Sequence, residues 1–239
     1  MKTGEINNIL RGIEQLEKEP QKAIVYDDES KEIRALHGCH LYNETMSHLT
    51  RHPDLLLPVM EILNSDVYVY QFKINLKKAI YGKAWPWHQD YTHWFKEDGL
   101  LSPRIVNVGI YLDNVNLENG ALEVIPCSHL NGIIDTQMLQ TKGWSARHRA
   151  DIRHGLSSKV ISNNKAQFGQ EIITGKAGTV FLMDGLLIHG SSENLSNRHR
   201  RLLLITYSAV DNQPTRLDKA RPDFLVARDY TPLTPYHKS

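Results

Sequence analysis

The sequence has no run of lysine or arginine residues and no long apolar segment. Its formal charge is +1, because 28 Lys and Arg residues face 27 Asp and Glu residues. Proteins that bind nucleic acids or membrane surfaces carry a basic field that attracts phosphates, and a membrane-spanning helix needs about 20 apolar residues. We therefore expect no nucleic-acid partner, no membrane association and a small molecule as the ligand.

Cysteine is scarce as well. Cys39 and Cys127 are the two cysteines, and they lie in unlike sequence contexts. The N-terminal stretch is polar and amphipathic and lacks the apolar centre of a signal peptide. These features predict a cytoplasmic location. With 239 residues, 41% of them hydrophobic, the chain is long enough for one sizeable core, so residues 1–239 are predicted to form one domain.

The periodicity of apolar residues changes from helical to strand-like along the chain. Apolar residues recur at helical spacing over residues 5–18, and a second helical zone runs over 43–63, interrupted near Pro53 and Pro58. Short segments rich in β-branched and aromatic residues follow. They are residues 67–75, 105–112, 121–125, 170–174, 178–183 and 201–210. Helices leading into such strands predict an α+β protein built on an antiparallel sandwich or barrel.

Residues 131–169 interrupt this framework with little apolar periodicity. Long insertions of this kind are often active-site lids. The segment is therefore predicted to be a lid, in which Trp144, Arg147 and Arg149 set selectivity.

A histidine and an aspartate stand two residues apart within the aromatic-rich run WPWHQDYTHWFKEDG, residues 85–99. If the segment is extended, His88 and Asp90 point to the same side and can converge on one metal ion. A hydrogen-bonded structural pair at a strand end is the alternative. His189, which ends an apolar strand, is the best candidate for a third ligand. Two histidines and one carboxylate with open positions suit non-haem Fe(II).

An arginine lies eleven residues after His189, at the start of the strand RLLLITYS. A guanidinium held on a strand beside a metal is well suited to bind a dicarboxylate through two parallel hydrogen bonds. Arg200 and Arg201 point to opposite faces of the strand, so only one of them can face the site. The spacing of eleven residues from His189 favours Arg200.

These motifs together resemble the phytanoyl-CoA dioxygenase family of Fe(II)- and 2-oxoglutarate-dependent oxygenases, and within it the ectoine-hydroxylase-like branch. The resemblance extends from about Arg34 to Leu233 and includes YQFKIN, WHQDYTHWFKEDG, NGALEVIPCSH, GTVFLMDGLLIHGSSEN and RPDFLVARDYTPL. It implies a double-stranded β-helix, a jelly-roll core of the cupin type, with the N-terminal helices packed against it. It also implies Fe(II) as cofactor, 2-oxoglutarate and O2 as cosubstrates, and hydroxylation of a C–H bond with release of succinate and CO2.

The resemblance also implies roles for individual residues. The iron ligands would be His88, Asp90 and His189. The 2-oxoglutarate site would consist of Gln71, Asn75, Trp85, Ser191 and Arg200. The substrate would contact Lys73, Tyr91 and Trp94, and Arg34 is a further candidate.

Two departures from the branch bear on the substrate. Lys73 stands where the branch commonly has arginine, and Thr92 where it has an acidic residue. The sequence therefore predicts a small polar or zwitterionic metabolite, such as an amino acid or a natural-product intermediate, rather than ectoine itself. Desaturation or cyclisation by the same oxidant and a non-catalytic cupin-like sensor are the alternatives. The HGCH run at residues 37–40 lacks the spacing of a zinc site and is predicted to lead towards the pocket.

Overall fold

The computed structural model describes residues 1–18, 23–27, 32–80, 82–139, 152–216 and 221–236. The helices are α1 (Thr3–Lys18), α2 (Glu44–Leu49), α3 (Pro53–Leu63), α4 (Asp90–Asp98) and α5 (Ser158–Phe168). The strands are β1 (Ile24–Tyr26), β2 (Ile33–His37), β3 (Val67–Lys77), β4 (Trp85–His88), β5 (Ile105–Tyr111), β6 (Leu122–Val124), β7 (Gln137–Met138), β8 (His154–Gly155), β9 (Glu171–Ile173), β10 (Val180–Asp184), β11 (His189–Ser191) and β12 (Arg200–Ala209).

Two antiparallel sheets form the core of the fold. The larger has six strands in the order β1-β2-β3-β12-β5-β10, and the smaller has four in the order β4-β11-β6-β9. A separate hairpin pairs β7 with β8. The central strands β3 and β12 pair along their whole length, with Lys77 opposite Arg200 and Lys73 opposite Leu204. The α+β class with an antiparallel core is therefore as the sequence predicted.

The six-stranded sheet has one apolar face and one face that carries polar side chains. On β3, Phe72 and Ile74 are buried in the main hydrophobic cluster, whereas Gln71, Lys73 and Asn75 line a cavity on the other side. This separation follows from the alternation of side chains along a strand. The site is thus built on the reverse of the sheet that carries the core.

The N-terminal helices cover the apolar face of that sheet. Buried side chains of α1, α2 and α3 belong to the same cluster as those of β3, β5 and β12. Pro53 occupies the first turn of α3, a position that tolerates proline. Pro58 lies within α3 instead of interrupting it. Packing of Leu55, Leu56 and Val59 against the sheet offsets the cost of a proline inside the helix.

The segment predicted as an irregular lid is partly regular. It contains β7, β8 and α5, and the apolar side chains of Val160 and Ile161 pack on a small cluster with Ile125 and Ile188. Ile152 from this segment reaches the main cavity. Trp144, Arg147 and Arg149 lie outside the described residues, and the lid role stays a prediction.

Among the described residues, no helix combines the length and the apolar character that crossing a bilayer requires. The cytoplasmic location stays a prediction.

Candidate active site

The junction between β4 and α4 positions the predicted metal-binding motif. His88 is the last residue of β4 and Asp90 the first residue of α4, with Gln89 between them in an extended conformation. The assumption that both residues lie on one extended strand was therefore wrong for Asp90. The fully buried Gln89 donates hydrogen bonds to the carbonyl oxygens of Leu186, at 2.6 Å, and Gly132, at 2.9 Å, and these bonds fix the turn.

Strand pairing brings the distant histidine to this junction. His189 begins β11 and lies directly opposite His88 in the antiparallel pair of β4 and β11. The two imidazole rings are 4.1 Å apart between centroids. Nε2 of His88 is 3.5 Å from Oδ1 of Asp90, and Nε2 of His189 is 3.7 Å from Oδ2. The three potential ligand atoms all lie within 4.8 Å of one another.

Both histidines present the same nitrogen to the centre of this cluster. Nδ1 of His88 lies 2.7 Å from the carbonyl oxygen of Pro86, and Nδ1 of His189 lies 3.0 Å from that of Leu187. A hydrogen bond to a carbonyl oxygen requires Nδ1 to carry the proton, which leaves the Nε2 lone pair to coordinate a metal. Burial, assisted by His88, lowers the pKa of His189 to about 3, so its ring is neutral.

Asp90 is held ionised although it is buried. Burial alone would raise its pKa, but the ammonium of Lys73, 3.6 Å from Oδ1, and the rings of His88 and His189 hold this pKa well below the usual range. Asn107 donates a hydrogen bond of 2.8 Å to Oδ2 of Asp90. The carboxylate is therefore oriented from the large sheet as well as from α4.

This donor set fits Fe(II). One imidazole nitrogen from each of two histidines and one carboxylate oxygen converge from three buried residues, and hydrogen bonds to their other polar atoms fix their orientations. Two histidines and one carboxylate are the facial ligand set of non-haem Fe(II) oxygenases, which leaves coordination positions for cosubstrates.

A cavity between the two sheets opens onto this cluster. Besides the three potential ligands, its lining includes the predicted residues Gln71, Lys73, Asn75, Trp85, Trp94, Ser191 and Arg200, and also His37, His93, Leu122, Ile152, Met183, Gly190, Leu202, Leu204 and Arg221.

The arginine predicted to bind a dicarboxylate points into this cavity. Arg200 is 1% exposed, and its Nε and Nη2 donate hydrogen bonds of 2.9 and 2.6 Å to the carbonyl oxygen of Gly120. Arg201 points to the other face of β12, where it pairs with Asp113. The choice between the two neighbouring arginines is therefore resolved by their burial and partners.

A second buried cation lies beside Arg200. Lys77 is 2% exposed, and its Nζ donates a hydrogen bond of 2.8 Å to Oγ of Ser191 and another to the carbonyl oxygen of Ser192. Burial and the charge of Arg200 lower the pKa of Lys77 to about 6. A carboxylate that entered between these two side chains would accept hydrogen bonds from both and favour the protonated form of Lys77. Lys77 was missed from the sequence, where it reads as one of two adjacent lysines at a strand end.

Gly120 supports this cationic end of the cavity. Its φ is +75°, and a Cβ atom would lie 2.8 Å from the carbonyl oxygen of Ser192 and 3.0 Å from Cδ of Lys77. A Gly120→Ala substitution should therefore displace the carbonyl group that holds Arg200. We expect weaker binding of 2-oxoglutarate with iron binding retained, measured by anaerobic titration. Gly169→Ala is a control, because Gly169 also has a positive φ, its Cβ would meet nothing within 4 Å, and it does not line the cavity. Equal losses in both variants would contradict this role.

Two of the predicted substrate contacts do not line the cavity. The hydroxyl of Tyr91 donates a hydrogen bond of 2.9 Å to the carbonyl oxygen of Leu100, and its ring is buried in a hydrophobic cluster. Arg34 stacks on the ring of Trp85, 4.0 Å from its centroid, and lines a neighbouring depression. The prediction of direct substrate contact is therefore wrong for Tyr91, which is turned into the core by α4. Arg34 instead supports Trp85.

Other residues that line the cavity were not predicted. His37, His93 and Arg221 face it from β2, α4 and the C-terminal segment. Arg221 makes two hydrogen bonds to the buried Asp98, at 2.8 and 2.7 Å. The HGCH run and RPDFLVARDYTPL contain two of these residues, but neither pattern identifies which side chain points inward.

The model of the phytanoyl-CoA dioxygenase family matches residues 1–202. The chain belongs to this family. It is 39% identical over 235 residues to an L-proline trans-4-hydroxylase from Streptomyces griseoviridis, covering 97% of this chain and 87% of that protein. It is 30% identical to an ectoine dioxygenase from Streptomyces coelicolor over 237 residues, covering 96% of this chain and 79% of the relative.

Solved structures of the family have the same fold. The crystal structure of EctD from S. alaskensis with 2-oxoglutarate and 5-hydroxyectoine aligns with a TM-score of 0.81 at 26% identity, over 95% of this chain and 77% of that one. The structure with bound Fe aligns with a TM-score of 0.83 at 25% identity, over 99% and 80%. The double-stranded β-helix is therefore confirmed. The protein is an Fe(II)- and 2-oxoglutarate-dependent dioxygenase of the hydroxylase type that acts on a small polar metabolite.

Proposed function

We propose that this enzyme hydroxylates a free cyclic α-amino acid of the L-proline type. The observation that carries the proposal is the 39% identity with an L-proline trans-4-hydroxylase over nearly the whole chain. The cavity supports it, because the ammonium of Lys73 lies next to the cluster of potential iron ligands, 3.6 Å from Asp90, where it can hold a substrate carboxylate. The second candidate is ectoine, on which relatives of 30% identity and less act.

In this proposal, His88, Asp90 and His189 bind Fe(II). Bound there with 2-oxoglutarate and O2, Fe(II) would supply the chemistry that oxidises a substrate C–H bond, with conversion of 2-oxoglutarate to succinate and CO2. The protein residues supply position and exclude water. Asp90 would supply the carboxylate ligand, and its hydrogen bond from Asn107 and its contact with Lys73 fix its orientation.

The distal carboxylate of 2-oxoglutarate binds at the cationic end of the cavity. Arg200 donates hydrogen bonds to it, and Lys77 and Ser191, which are already hydrogen-bonded to each other at 2.8 Å, complete the site. Gln71, Asn75 and Trp85 line the space between this end and the metal cluster. The amide of Gln71 is fixed by a hydrogen bond of 2.8 Å to the carbonyl oxygen of Leu225.

Trp94 forms an apolar wall for the substrate. It is 2% exposed, lines the cavity and packs edge-on against Tyr70, with ring centroids 5.4 Å apart. A rigid indole held from behind can position an aliphatic ring with little loss of side-chain entropy. This wall suits a saturated five- or six-membered ring better than a flexible chain.

The experiment that tests the substrate class is a panel of candidates incubated with the Fe(II)-loaded enzyme, 2-oxoglutarate and O2. The panel contains L-proline, L-pipecolate, ectoine and a coenzyme A thioester, and both succinate and product mass are measured. We expect stoichiometric succinate and a product that has gained one oxygen atom with L-proline or L-pipecolate. A product that has lost two hydrogen atoms would indicate desaturation or cyclisation. Coupled turnover only with the thioester would refute the proposal.

Lys73 should control the affinity for the substrate. Lys73→Met keeps the aliphatic stem and removes the charge, and a lost charge-assisted hydrogen bond costs about 1.5–3 kcal/mol, roughly a 10- to 150-fold rise in KM for L-proline. Uncoupled decarboxylation of 2-oxoglutarate should change much less. Lys78→Met is the matched control, because Lys78 pairs with Glu32 at the surface. The role is wrong if KM rises equally in the two variants.

A further inference from the structure

His37 is a buried histidine that lines the active-site cavity, and one nitrogen of its ring has no hydrogen-bond partner among the described residues. It is the last residue of β2 and is 5% exposed. Its Nδ1 is buried and has no hydrogen-bond partner within the part of the chain that the structure describes. Leaving a buried polar group unsatisfied costs about 1–3 kcal/mol. A ring beside a cavity can complete its hydrogen bonding with a water molecule or a ligand that enters the cavity.

The charges around His37 keep its ring neutral. Burial first, and then the positive charges of Lys73, Arg221 and Arg34, lower its pKa to about 3. A neutral imidazole carries one nitrogen lone pair that accepts a hydrogen bond. His37 is therefore an uncharged hydrogen-bond acceptor surrounded by cationic side chains. The usual partner of an amine is instead a carboxylate.

The side chains that line the cavity offer the amino group of a substrate few carboxylate partners. Among the described residues that line it, Asp90 is the one carboxylate. That carboxylate already accepts a hydrogen bond from Asn107, lies close to Lys73 and belongs to the iron-binding cluster. The amino group of a zwitterionic substrate must therefore be met by a neutral acceptor.

The strand register places such an acceptor beside the cation for the carboxylate. His37 is directly opposite Lys73 in the antiparallel pair of β2 and β3. The Cβ atoms of directly opposed residues are about 4.5–5.5 Å apart and lie on the same face of the sheet. An α-amino acid carries its amino and carboxylate groups on one carbon atom. A pair of adjacent side chains, one acceptor and one cation, matches that separation.

We propose that His37 accepts a hydrogen bond from the amino group of the substrate, while Lys73 binds the carboxylate of the same molecule. This inference rests on the proposed function, since it assumes an α-amino acid in this cavity. His37 is then a specificity-determining residue, which selects zwitterions over simple carboxylic acids of the same shape. It takes no part in binding iron or 2-oxoglutarate.

The test compares two probes that differ only in the amino group, L-proline and cyclopentanecarboxylate. Each is titrated anaerobically into the complex of the enzyme with Fe(II) and 2-oxoglutarate, and the change in the visible metal-to-ligand charge-transfer band gives its Kd. The native enzyme should bind L-proline about tenfold or more tightly than cyclopentanecarboxylate, the loss expected when a polar site meets a ligand that lacks the matching group. In His37→Phe this ratio should fall to about one.

Two further variants separate recognition from packing. His37→Gln restores a neutral acceptor and should recover part of the preference for L-proline. His40→Phe is the matched control: Nδ1 of His40 is likewise buried and without a partner among the described residues, but its ring stacks on Phe72 and does not line the cavity. It should keep the native ratio. Formation of the charge-transfer band in each variant verifies that the fold and the iron site are intact.

The outcomes distinguish this inference from the proposed function. A native-like ratio in His37→Phe, with the band intact, would overturn the inference and leave the proposed function standing. If neither L-proline nor L-pipecolate perturbs the band of the native enzyme, the proposed substrate class is wrong and the inference fails with it.

Discussion

Arg200→Ala should raise the Kd for 2-oxoglutarate roughly 30- to 4,000-fold and leave iron binding unchanged. Removal of one partner of a buried, hydrogen-bonded charge pair costs about 2–5 kcal/mol, and each 1.4 kcal/mol is tenfold in affinity. Arg200 is 1% exposed, so water cannot replace the lost donors readily. The measurement is an anaerobic titration of the Fe(II)-loaded protein with 2-oxoglutarate, followed through the charge-transfer band.

The chain offers a matched control on the adjacent position. Arg201→Ala removes the same side chain from the same strand, but Arg201 pairs with Asp113 on the opposite face, at 2.6 Å. Its loss should lower the stability of the protein and leave the Kd for 2-oxoglutarate within about twofold, because this partly buried ion pair does not line the cavity. If Arg201→Ala weakens cosubstrate binding as strongly as Arg200→Ala, the assignment of the inward arginine is wrong.

Asp90→Ala should abolish hydroxylation because the protein no longer retains iron. Loss of a residue that merely supports a ligand costs about 10- to 100-fold in metal affinity, and loss of a ligand should cost more. The substitution also leaves the rings of His88 and His189 without the carboxylate that lies 3.5 and 3.7 Å from their Nε2 atoms. Iron content per polypeptide after anaerobic reconstitution and gel filtration measures the effect directly.

Asp113→Ala provides the control for removal of a carboxylate elsewhere. Asp113 accepts hydrogen bonds from Arg201 outside the cavity, so this variant should bind iron normally. Arg200→Ala should also retain iron, which separates the metal-binding role from the cosubstrate-binding role. If Asp90→Ala and Arg200→Ala lose iron to the same extent, the division of roles between the two residues is wrong.

The metal cluster could be predicted from sequence because each of its members carries a strong local signal. His88 and Asp90 interrupt an aromatic run, and His189 follows an apolar strand and precedes Gly190. Their convergence depends on one strand pairing, between β4 and β11. Strands β4 and β11 were not among the predicted strands, because three or four residues are too few to show a clear period of two.

The helix that begins at Asp90 was missed for a related reason. The sequence DYTHWFKED has a wide mixture of aromatic and polar residues, and its buried positions include the polar Thr92 and Asp98. Thr92 donates a hydrogen bond to its neighbour Gln89. Asp98 accepts hydrogen bonds from Arg221, a tertiary partner that no local pattern reveals. The direction of Tyr91, away from the cavity and into the hydrophobic cluster, follows from this helical geometry.

The remaining residues that line the cavity or contact its lining could not be predicted, because the direction of each side chain decides its role. Lys77 and Lys78 are adjacent in sequence, yet the first is buried beside Ser191 and the second reaches the surface. Likewise, His37 and His40 share one short run, and only His37 lines the cavity. Which member of such a pair points inward depends on strand register, and register is set by contacts distant in the sequence.

The division of the large sheet into an apolar face and a cavity face has a consequence for how such enzymes diverge. A point substitution at Lys73 changes the substrate pocket, whereas its neighbours Phe72 and Ile74 remain packed under the helices. Substitutions at alternate positions of β3 can therefore change the substrate range with little loss of folding stability. An insertion or deletion within β3 would exchange the two faces, turning charged groups into the core. Substrate range in this scaffold should thus evolve by replacement of residues, with strand length held constant.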